Sequence, residues 1–298
     1  MSEHPAFHSG FVTIVGRPNV GKSTLMNALI KEKIAIVSAR PQTTRSRIMG
    51  ILTAPEYQLV FLDTPGIHQP RTQLGEYMMK AVRDAMDGMD CLLMLVDVTD
   101  CGDRDMTIAR EMAGKKCPSV LALNKIDLVS RESLLEIMAR FGDLGFDEIV
   151  PISAKTGDGL DELRKQLVRH LPEGPHYFPD DMITDQPERL ICAEIIREKA
   201  LQHLRDEVPH GIGVEMMGIT QVREGLTEIH ATIYCEREAH KGIIIGKQGA
   251  MLQTIGSEAR EDIERLLDTH VNLKLWVKVR PDWRNRPEEL RNLGYDSK

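Results

Sequence analysis

Short apolar runs alternate with longer stretches of mixed apolar and polar residues along residues 1–172 of this 298-residue chain. Such runs are typical of buried strands in a parallel sheet, and the stretches between them have helical spacing. The alternation predicts an α/β domain with a mostly parallel sheet and helices on both faces. The predicted strands are 11–15, 57–62, 91–96, 120–123 and 149–152, and the predicted helices are 25–31, 76–87, 104–113 and 160–170.

The pattern breaks at PEGPHYFPDDMITD, residues 172–185, which is rich in proline and acidic residues and predicts a linker. Beyond it the apolar spacing predicts an α+β domain of order α-β-β-α-α-β, followed by a short tail helix. Its first helix, 187–204, is expected to be amphipathic. The predicted domains are 1–172 and 186–298, with the linker at 173–185. The elements of the second domain are a helix with Ile191, Ile195, Ile196 and Ala200 on one face, strands at 213–219, 228–235 and 271–279, and the tail helix at 287–293.

Composition narrows the class of protein. A chain of this length has room for two domains, each with its own core. The net charge of −7 argues against nonspecific wrapping of nucleic acid, so any such binding must be local. The five cysteines form no C-x-x-C pair, and reduced thiols of a cytoplasmic protein are expected. There is no basic leader, and the longest apolar run, 91–96, is too short to cross a bilayer.

Five motifs follow one another in the first domain, each at the end of a predicted strand or in the loop after it. One such motif is a weak signal, but five in this order predict a GTP-binding switch domain. They are GRPNVGKS (16–23), QTTR (42–45), DTPG (63–66), NKID (124–127) and SAK (153–155).

The first three motifs are suited to phosphates and Mg²⁺. Glycines let backbone N–H groups close around phosphates at a helix N-terminus. We expect Lys22 to reach the β and γ phosphates, and Ser23 to bind Mg²⁺. Asp63 should hold the Mg²⁺ shell through a water, and the Gly66 N–H should sense the γ phosphate. The switch threonine that ligates Mg²⁺ in the GTP state is Thr44, with Thr43 as the alternative.

The last two motifs select the base. The Asp127 carboxylate can accept from guanine N1–H and the 2-amino group, whereas adenine would leave it unpaired at a cost of roughly 1–3 kcal/mol or more. Asn124 is expected to brace the loop, Lys125 to cover the base, and the Ala154 N–H to meet guanine O6. GTP is therefore preferred over ATP. The predicted GTP-binding residues are Gly16, Arg17, Pro18, Asn19, Val20, Gly21, Lys22, Ser23, Thr24, Asp63, Thr64, Pro65, Gly66, Asn124, Lys125, Asp127, Ser153, Ala154 and Lys155. The predicted catalytic residues are Lys22, Asn19, Thr44 and Gly66. The predicted metal ligands are Ser23, Thr44 and Asp63.

Two residues indicate the mode of hydrolysis. Ile67 stands where Ras-like enzymes carry the glutamine that orients the attacking water, and it has no polar atom for that work. Asn19 is placed to help hold a monovalent cation against the phosphates. We therefore expect slow turnover that K⁺ stimulates. The alternative for Asn19 is a purely structural role in the turn. His68 is expected to be an exposed switch histidine rather than a general base.

The second domain carries GKQG between an apolar run and a helix. In the α-β-β-α-α-β order this loop indicates a type II KH fold, in which an RNA backbone approaches the loop and apolar side chains receive the bases. Residues 243–245 form that apolar floor or belong to the core. Residues 274–286, KLWVKVRPDWRNR, mix basic and aromatic side chains, and we expect Trp276 in the core and Trp283 exposed. The predicted RNA-binding residues are Ile245, Gly246, Lys247, Gln248, Gly249, Lys278, Arg280 and Trp283.

Over nearly its whole length the chain resembles the Era family, bacterial GTPases that pair a Ras-like domain with a C-terminal KH domain. The motifs that carry the resemblance are GRPNVGKST, PQTTR, DTPG, NKID, SAK, EIIREK and IIIGKQG. The resemblance implies binding to the 3′ end of small-subunit ribosomal RNA, a role in maturation of the small ribosomal subunit, and partial peripheral association with the inner membrane.

Two alternatives stay open at this point. The first is an RNA-modification or membrane-trafficking GTPase whose second domain binds protein, which loss of RNA binding would support. The second is a catalytically silent, GTP-gated RNA-binding scaffold, which single-turnover hydrolysis would separate from an enzyme.

Overall fold

The computed structural model describes residues 6–38, 40 and 43–295. Gln42, the first residue of the QTTR motif, lies outside them. The chain forms two compact units, and two short segments next to nucleotide motifs group with the second unit rather than the first. The first unit is Met1–Ala35, Thr44–His68 and Met78–Asp185, and the second is Ile36–Thr43, Gln69–Tyr77 and Gln186–Lys298.

The first unit is built on a six-stranded sheet of order β2-β3-β1-β4-β5-β6. All neighbouring strands are parallel except β2 and β3, which are antiparallel. The predicted mostly parallel sheet is therefore confirmed, and β2 is an additional edge strand. The strands are β1 (His8–Val15), β2 (Ile48–Ala54), β3 (Tyr57–Asp63), β4 (Cys91–Asp97), β5 (Ser119–Asn124) and β6 (Glu148–Ile152).

Helices cover both faces of this sheet, as the alternation of apolar runs predicts. Successive residues of a strand point to opposite faces. Leu93 and Leu95 accordingly pack in the cluster that contains α1 and α5, and Met94 and Val96 in the cluster that contains α3 and α4. The helices are α1 (Lys22–Ile30), α2 (Gln73–Met86), α3 (Asp103–Ala113), α4 (Arg131–Gly142) and α5 (Leu160–His170).

The segment predicted as a linker, 173–185, is hydrogen-bonded to the first unit. The Ile51 N–H donates to the Ile183 carbonyl at 2.8 Å, and Thr184 Oγ1 donates to the Met49 carbonyl at 2.6 Å. Ser9 Oγ donates to the Pro175 carbonyl at 2.7 Å. The segment therefore satisfies polar groups of edge strand β2 and of β1 instead of running free.

The second unit has the predicted α-β-β-α-α-β order, which is confirmed element by element. Its three strands lie in the order β7-β8-β9, with β7 and β8 antiparallel and β8 and β9 parallel. The elements are α6 (Glu188–His203), β7 (Gly213–Arg223), β8 (Leu226–Cys235), α7 (Glu238–Ile245), α8 (Ala250–Leu267), β9 (His270–Val279) and the tail helix α9 (Pro287–Asn292).

Two burial predictions for the second unit are wrong. Trp283 is fully buried, and its Nε1–H donates to the Gly211 carbonyl at 2.9 Å, whereas Trp276 is 44% exposed. The cause is the two-residue period of β9: Leu275 and Val277 pack in the core, so Trp276 points to the opposite face. Helix α6 also lacks the predicted polar face along its centre, because Arg197 and Glu198 are as buried as its isoleucines.

None of the helices in the described ranges is long and apolar enough to cross a membrane.

Candidate functional site

The phosphate loop connects the carboxyl end of β1 to the N-terminus of α1. Gly21 precedes α1 with φ +101°, a conformation that favours glycine. A Cβ on Gly21 would lie 2.3 Å from Asn124 Nδ2, and one on Gly66 would lie 2.5 Å from the Pro18 nitrogen. Both glycines are therefore required by close approach. The loop closes at the start of a helix, where N–H groups are available to an anion.

A cluster of oxygen atoms lies directly beside this loop. Ser23 Oγ donates to Asp63 Oδ2 at 2.6 Å, and Thr44 Oγ1 lies 2.9 Å from Ser23 Oγ and 3.4 Å from Asp63 Oδ2. Asp63 Oδ1 is buried without a hydrogen-bond partner. Hydroxyl and carboxylate oxygens suit Mg²⁺, which is a hard cation that keeps several waters. The three predicted metal ligands therefore come together and fit a magnesium ion.

The structure also distinguishes the two threonines of the switch. Thr44 is buried in the oxygen cluster, whereas Thr43 Oγ1 donates to the Arg40 carbonyl at 2.7 Å. The hydroxyl of Thr44, not that of Thr43, is thus beside Ser23 and Asp63.

Lys22 extends along the phosphate loop, and its Nζ donates to the Arg17 carbonyl at 3.1 Å. Burial lowers the pKa of Lys22 and raises that of Asp63, while the attraction between the two charges opposes both shifts. A buried cation without a full set of partners gains from a nearby anion. Lys22 is therefore suited to a phosphate, as the sequence predicts.

Arg17 contributes backbone rather than side chain to the loop. Its guanidinium donates to the buried Asp105 at 2.6 Å and to Asp100 at 2.9 Å, so it is turned towards the start of α3. These two carboxylates were not among the predicted site residues. Their only signal in the sequence is their position in the loop and helix that follow β4.

Asn124 ties the base-recognition motif to the phosphate loop. Its Nδ2 donates to the Val20 carbonyl at 2.8 Å, and its Oδ1 accepts from the Ala154 N–H at 2.9 Å. These two hydrogen bonds join the base-recognition loop to the phosphate loop and to the SAK motif, as the bracing role predicted for Asn124 requires. The Ala154 N–H, which we expected to meet guanine O6, is donated to Asn124 instead. To contact guanine O6, the Ala154 N–H would have to share or give up its hydrogen bond to Asn124 Oδ1.

Asp127 is exposed, and its carboxylate is accessible to a base. Lys125 next to it forms an ion pair with Asp97 at the end of β4. Burial acts to raise the pKa of Asp97, but hydrogen bonds from Lys125 and Thr99 outweigh it and lower the pKa. Asp97 was not predicted, and it holds the lysine whose stem is expected to cover the base.

The other predicted nucleotide residues surround the same loop. Thr64 is buried and donates to the Ile14 carbonyl at 2.7 Å, and Ser153 is buried with its Oγ accepting from the Thr156 N–H at 3.2 Å. Asn19 is exposed with φ +65°, Lys155 is exposed, and Thr24 is half-buried. Ile67 packs against the core cluster on the α3 side of the sheet.

The GKQG loop of the second unit joins α7 to α8 by a single 3-10 turn. Gly246, Gln248 and Gly249 all have positive φ, at 73°, 54° and 83°. A Cβ on Gly246 would lie 2.7 Å from Met251 Cβ, whereas one on Gly249 would meet nothing within 4 Å. Lys247 and Gln248 are exposed at the tip. The loop therefore presents open backbone, as an RNA-binding loop requires.

The apolar residues before the loop divide between the two predicted roles. Ile244 is fully buried in the core, Ile243 is 50% exposed, and Ile245 is half-buried. Ile244 is therefore core, and the other two are available to a ligand.

The basic and aromatic residues of β9 and the tail do not join this loop. Lys278 alternates with Val277 and Val279, which pack on the helices, so it lies on the opposite face of the sheet. Arg280 stacks 3.7 Å from the centre of the Tyr234 ring and pairs with Glu289. Trp283 is core, so its predicted role in stacking on bases is wrong.

Comparison with known proteins matches both units. A family model described as 50S ribosome-binding GTPase matches residues 11–125, and a KH domain model matches residues 207–284. GTPase Era of Ruminiclostridium cellulolyticum is 52% identical over 292 residues, which cover 97% of this chain and 98% of that protein. GTPase Era of Alkaliphilus metalliredigens is 53% identical over 294 residues, covering 98% of this chain and 100% of that protein.

Two solved structures match the whole fold. One is Era in complex with MgGDPNP and nucleotides 1506–1542 of 16S ribosomal RNA, with a TM-score of 0.92 and 42% identity. The other is an Aquifex aeolicus Era variant bound to GDP and aluminium fluoride, also with a TM-score of 0.92 and 42% identity. Each match covers 98% of this chain and 100% of the other.

Proposed function

Because the chain belongs to the Era family of GTPases, we propose that it is a GTP-hydrolysing switch that binds the 3′ end of small-subunit ribosomal RNA through its KH domain. The single observation that carries this proposal is that one chain brings the predicted metal ligands Ser23, Thr44 and Asp63 together beside the phosphate loop and also carries an open GKQG loop. The Era structure with a 16S ribosomal RNA fragment supports the choice of RNA. In this role the protein assists maturation of the small ribosomal subunit.

The GTPase site performs phosphoryl transfer mainly by positioning and electrostatics. Lys22 and the loop N–H groups hold the β and γ phosphates, and Gly66 lies beside the loop, with its N–H facing the γ phosphate in our proposal. Ser23, Thr44 and the shell around Asp63 would hold the metal. Bound there, Mg²⁺ would neutralise charge that develops on the phosphate oxygens.

We propose that turnover is slow and stimulated by K⁺. Ile67 is partly buried against the core cluster on the α3 side of the sheet, and it offers no group to orient water. Asn19 lies in the phosphate loop with a positive φ, where its side-chain oxygen can contribute to a cation site. A monovalent cation at that place would supply the positive charge that an arginine finger supplies elsewhere.

Hydrolysis rates in potassium and sodium chloride at matched ionic strength test this proposal. We expect faster hydrolysis in potassium for the wild type and loss of the difference in Asn19→Ala, with nucleotide affinity largely unchanged. Equal rates in both salts for the wild type would refute the potassium site.

RNA binding is tested with the full chain and two labelled oligonucleotides. One has the sequence of the 3′ end of the small-subunit ribosomal RNA, and the other has the same composition in scrambled order. Tighter binding of the first, measured at several salt concentrations, is expected, because phosphate contacts alone do not distinguish sequences. Equal affinity for both would leave only nonspecific binding. No binding of either would favour the protein-interaction alternative for the second domain.

Association with the ribosomal subunit and with the inner membrane is part of the same proposal, and it rests on the family alone. We propose, from the family, that the protein resides in the cytoplasm and that its attachment to the membrane is peripheral. Co-sedimentation with small subunits and flotation with vesicles of inner-membrane lipids test the two associations separately.

A further inference from the structure

Helix α6 buries two charged side chains. Arg197 has no exposed surface and Glu198 is 2% exposed, in a helix whose other buried residues are apolar or small. Burying an ionised side chain is costly unless it is paired and hydrogen-bonded. The partners of these two residues therefore indicate what the charges are for.

Both charges bind the backbone of the Ile36–Thr43 segment, which groups with α6 in the second unit. Arg197 Nη2 donates to the Thr43 carbonyl. Glu198 Oε1 accepts from the Val37 N–H at 2.7 Å. At the end of the helix, Arg40 Nη2 donates to the Leu204 carbonyl at 3.1 Å. The segment is thus held at both of its ends by α6.

Glu194 fixes the direction of the Arg197 guanidinium. Its two carboxylate oxygens accept from Arg197 Nε, at 2.8 Å, and from Nη2. A two-point pair of this kind orients the planar guanidinium as well as binding it. Burial acts to lower the pKa of Arg197, but the Glu194 carboxylate outweighs it and raises the pKa. Arg197 is therefore a fixed cation with one donor directed at Thr43.

The carbonyl that Arg197 holds belongs to the peptide that leads into Thr44. Because a peptide group is planar, fixing the Thr43 carbonyl also fixes the Thr44 N–H and limits rotation of Thr44 to its own backbone dihedrals. Thr44 is the residue whose hydroxyl lies 2.9 Å from Ser23 Oγ in the oxygen cluster.

We propose that Arg197 is a positioning residue for GTP hydrolysis: by holding the Thr43 carbonyl it orients Thr44 towards the metal and the γ phosphate. The inference rests on the proposed role of Thr44. It gives α6, the first helix of the RNA-binding domain, a direct part in hydrolysis. It also explains why a charge is kept in the centre of a buried helix.

The test compares two substitutions of similar length in the full chain. Arg197→Met fills the space without a donor, and Arg197→Lys restores one donor without the two-point pair. We expect Arg197→Met to lower the kcat for GTP by about tenfold or more, and Arg197→Lys to recover part of that loss. The affinity of both variants for GDP should stay within about twofold of wild type, since GDP lacks the γ phosphate towards which Thr44 is oriented in this proposal.

Arg189→Met is the matched control. Arg189 lies on the same helix, but its Nη2 donates to the Met216 carbonyl, away from the Ile36–Thr43 segment. The kcat of the Arg189→Met variant for GTP should equal that of wild type. Circular dichroism checks the folding of every variant. If an Arg197 variant does not fold, the Glu194→Gln variant is measured in its place. The Glu194 side chain is 29% exposed, so this substitution leaves the buried face of the helix intact. A smaller loss of kcat is then expected.

Thr44→Ala separates this inference from the function on which it rests. If Thr44→Ala loses kcat but Arg197→Met and Arg197→Lys both match wild type, the positioning role is refuted and the role of Thr44 stands. If Thr44→Ala keeps its kcat, both are refuted. Equal losses in Arg197→Met, Arg197→Lys and Arg189→Met would mean that α6 is merely structural, which also refutes the proposal.

Discussion

At the scale of single residues, the direction of the backbone decides which threonine reaches the oxygen cluster: Thr44 Oγ1 lies 2.9 Å from Ser23 Oγ, whereas Thr43 Oγ1 donates to the Arg40 carbonyl. The NKID pattern predicts a carboxylate for guanine, and the structure leaves that carboxylate, Asp127, exposed. Whether Thr43 or Thr44 meets the metal depends on which way the backbone turns, and the sequence does not contain that information. The structure assigns the place beside Ser23 to Thr44. For the two tryptophans the expected burial is reversed: the two-residue period of β9 places Trp276 on the exposed face, and Trp283, which lies beyond the strand, is fully buried.

The exposed Asp127 leads to a prediction of base specificity. Asp127→Asn should weaken GTP binding and strengthen binding of xanthosine triphosphate, because the amide can donate where xanthine offers a carbonyl. The loss for GTP should be at least about tenfold, since the wild-type bonds are made to a charged group. Fluorescence titration with both nucleotides measures this. An equal loss for both would show that the residue acts on the loop and not on the base.

The cysteines provide a test of burial that is independent of nucleotide. Burial raises the pKa of Cys91 and of Cys192 to about 12, so at pH 8 only about one such thiol in ten thousand is the reactive thiolate. Cys101 and Cys117 are half-buried. Alkylation followed by mass spectrometry should therefore label Cys101 and Cys117 in the folded protein, and the buried Cys91, Cys192 and Cys235 only after denaturation. Rapid native labelling of Cys91 would contradict the core of the first unit.

At the scale of elements, the sequence predicts those strands and helices whose apolar residues recur with a clear period. Strands buried on both faces and helices with a clear apolar stripe were found close to their observed bounds. Strand β2 was missed, and Gly50 interrupts its apolar pattern; a Cβ there would lie 2.3 Å from Ile30 Cδ1. Helix α4 was also missed, although four of its apolar residues recur at helical spacing and pack in the cluster on the α3 side of the sheet: Leu134, Ile137, Met138 and Phe141. Tertiary contacts decide the place of β2, whereas the spacing in α4 is a signal that the sequence does carry.

The GKQG loop leads to a prediction about RNA that uses its local geometry. Gly246 is a poor site for a test because any side chain there meets Met251. Gly249→Asp adds a carboxylate in open space at a cost of roughly 1–2 kcal/mol for the left-handed backbone, and Lys247→Glu reverses a charge at the exposed tip without backbone strain. Both should weaken RNA binding at least about tenfold, because they repel the phosphates.

Intrinsic GTP hydrolysis is the control for these loop variants. The five nucleotide motifs lie outside the altered loop, so the rate without RNA should match that of wild type. Unchanged RNA affinity in Lys247→Glu and Gly249→Asp would show that RNA binds elsewhere, for example on the face that carries Trp276 and Lys278.

At the scale of the whole molecule, the grouping of segments could not be predicted from the sequence. Ile36–Thr43 precedes Thr44, and Gln69–Tyr77 follows the DTPG motif, yet both belong to the second unit. Within that unit the Gln73 N–H donates to Asn285 Oδ1 at 3.2 Å, and the rings of Tyr77 and Tyr295 lie 5.9 Å apart. These contacts join residues more than 200 positions apart, so no local pattern indicates them. Within the second unit they join the segment that follows the DTPG motif to the C-terminal tail.

Coupling of the two ligands is the central claim, and an RNA titration in two nucleotide states tests it most directly. The full chain is saturated with Mg²⁺ and either GDP or a nonhydrolysable GTP analogue, and its affinity for the 3′-end ribosomal RNA is measured in each state. The account predicts tighter RNA binding with the analogue. By linkage, RNA must then raise the affinity for the analogue relative to GDP by the same factor. Equal RNA affinities in the two states would make the domains independent binders on one chain and would contradict the switch.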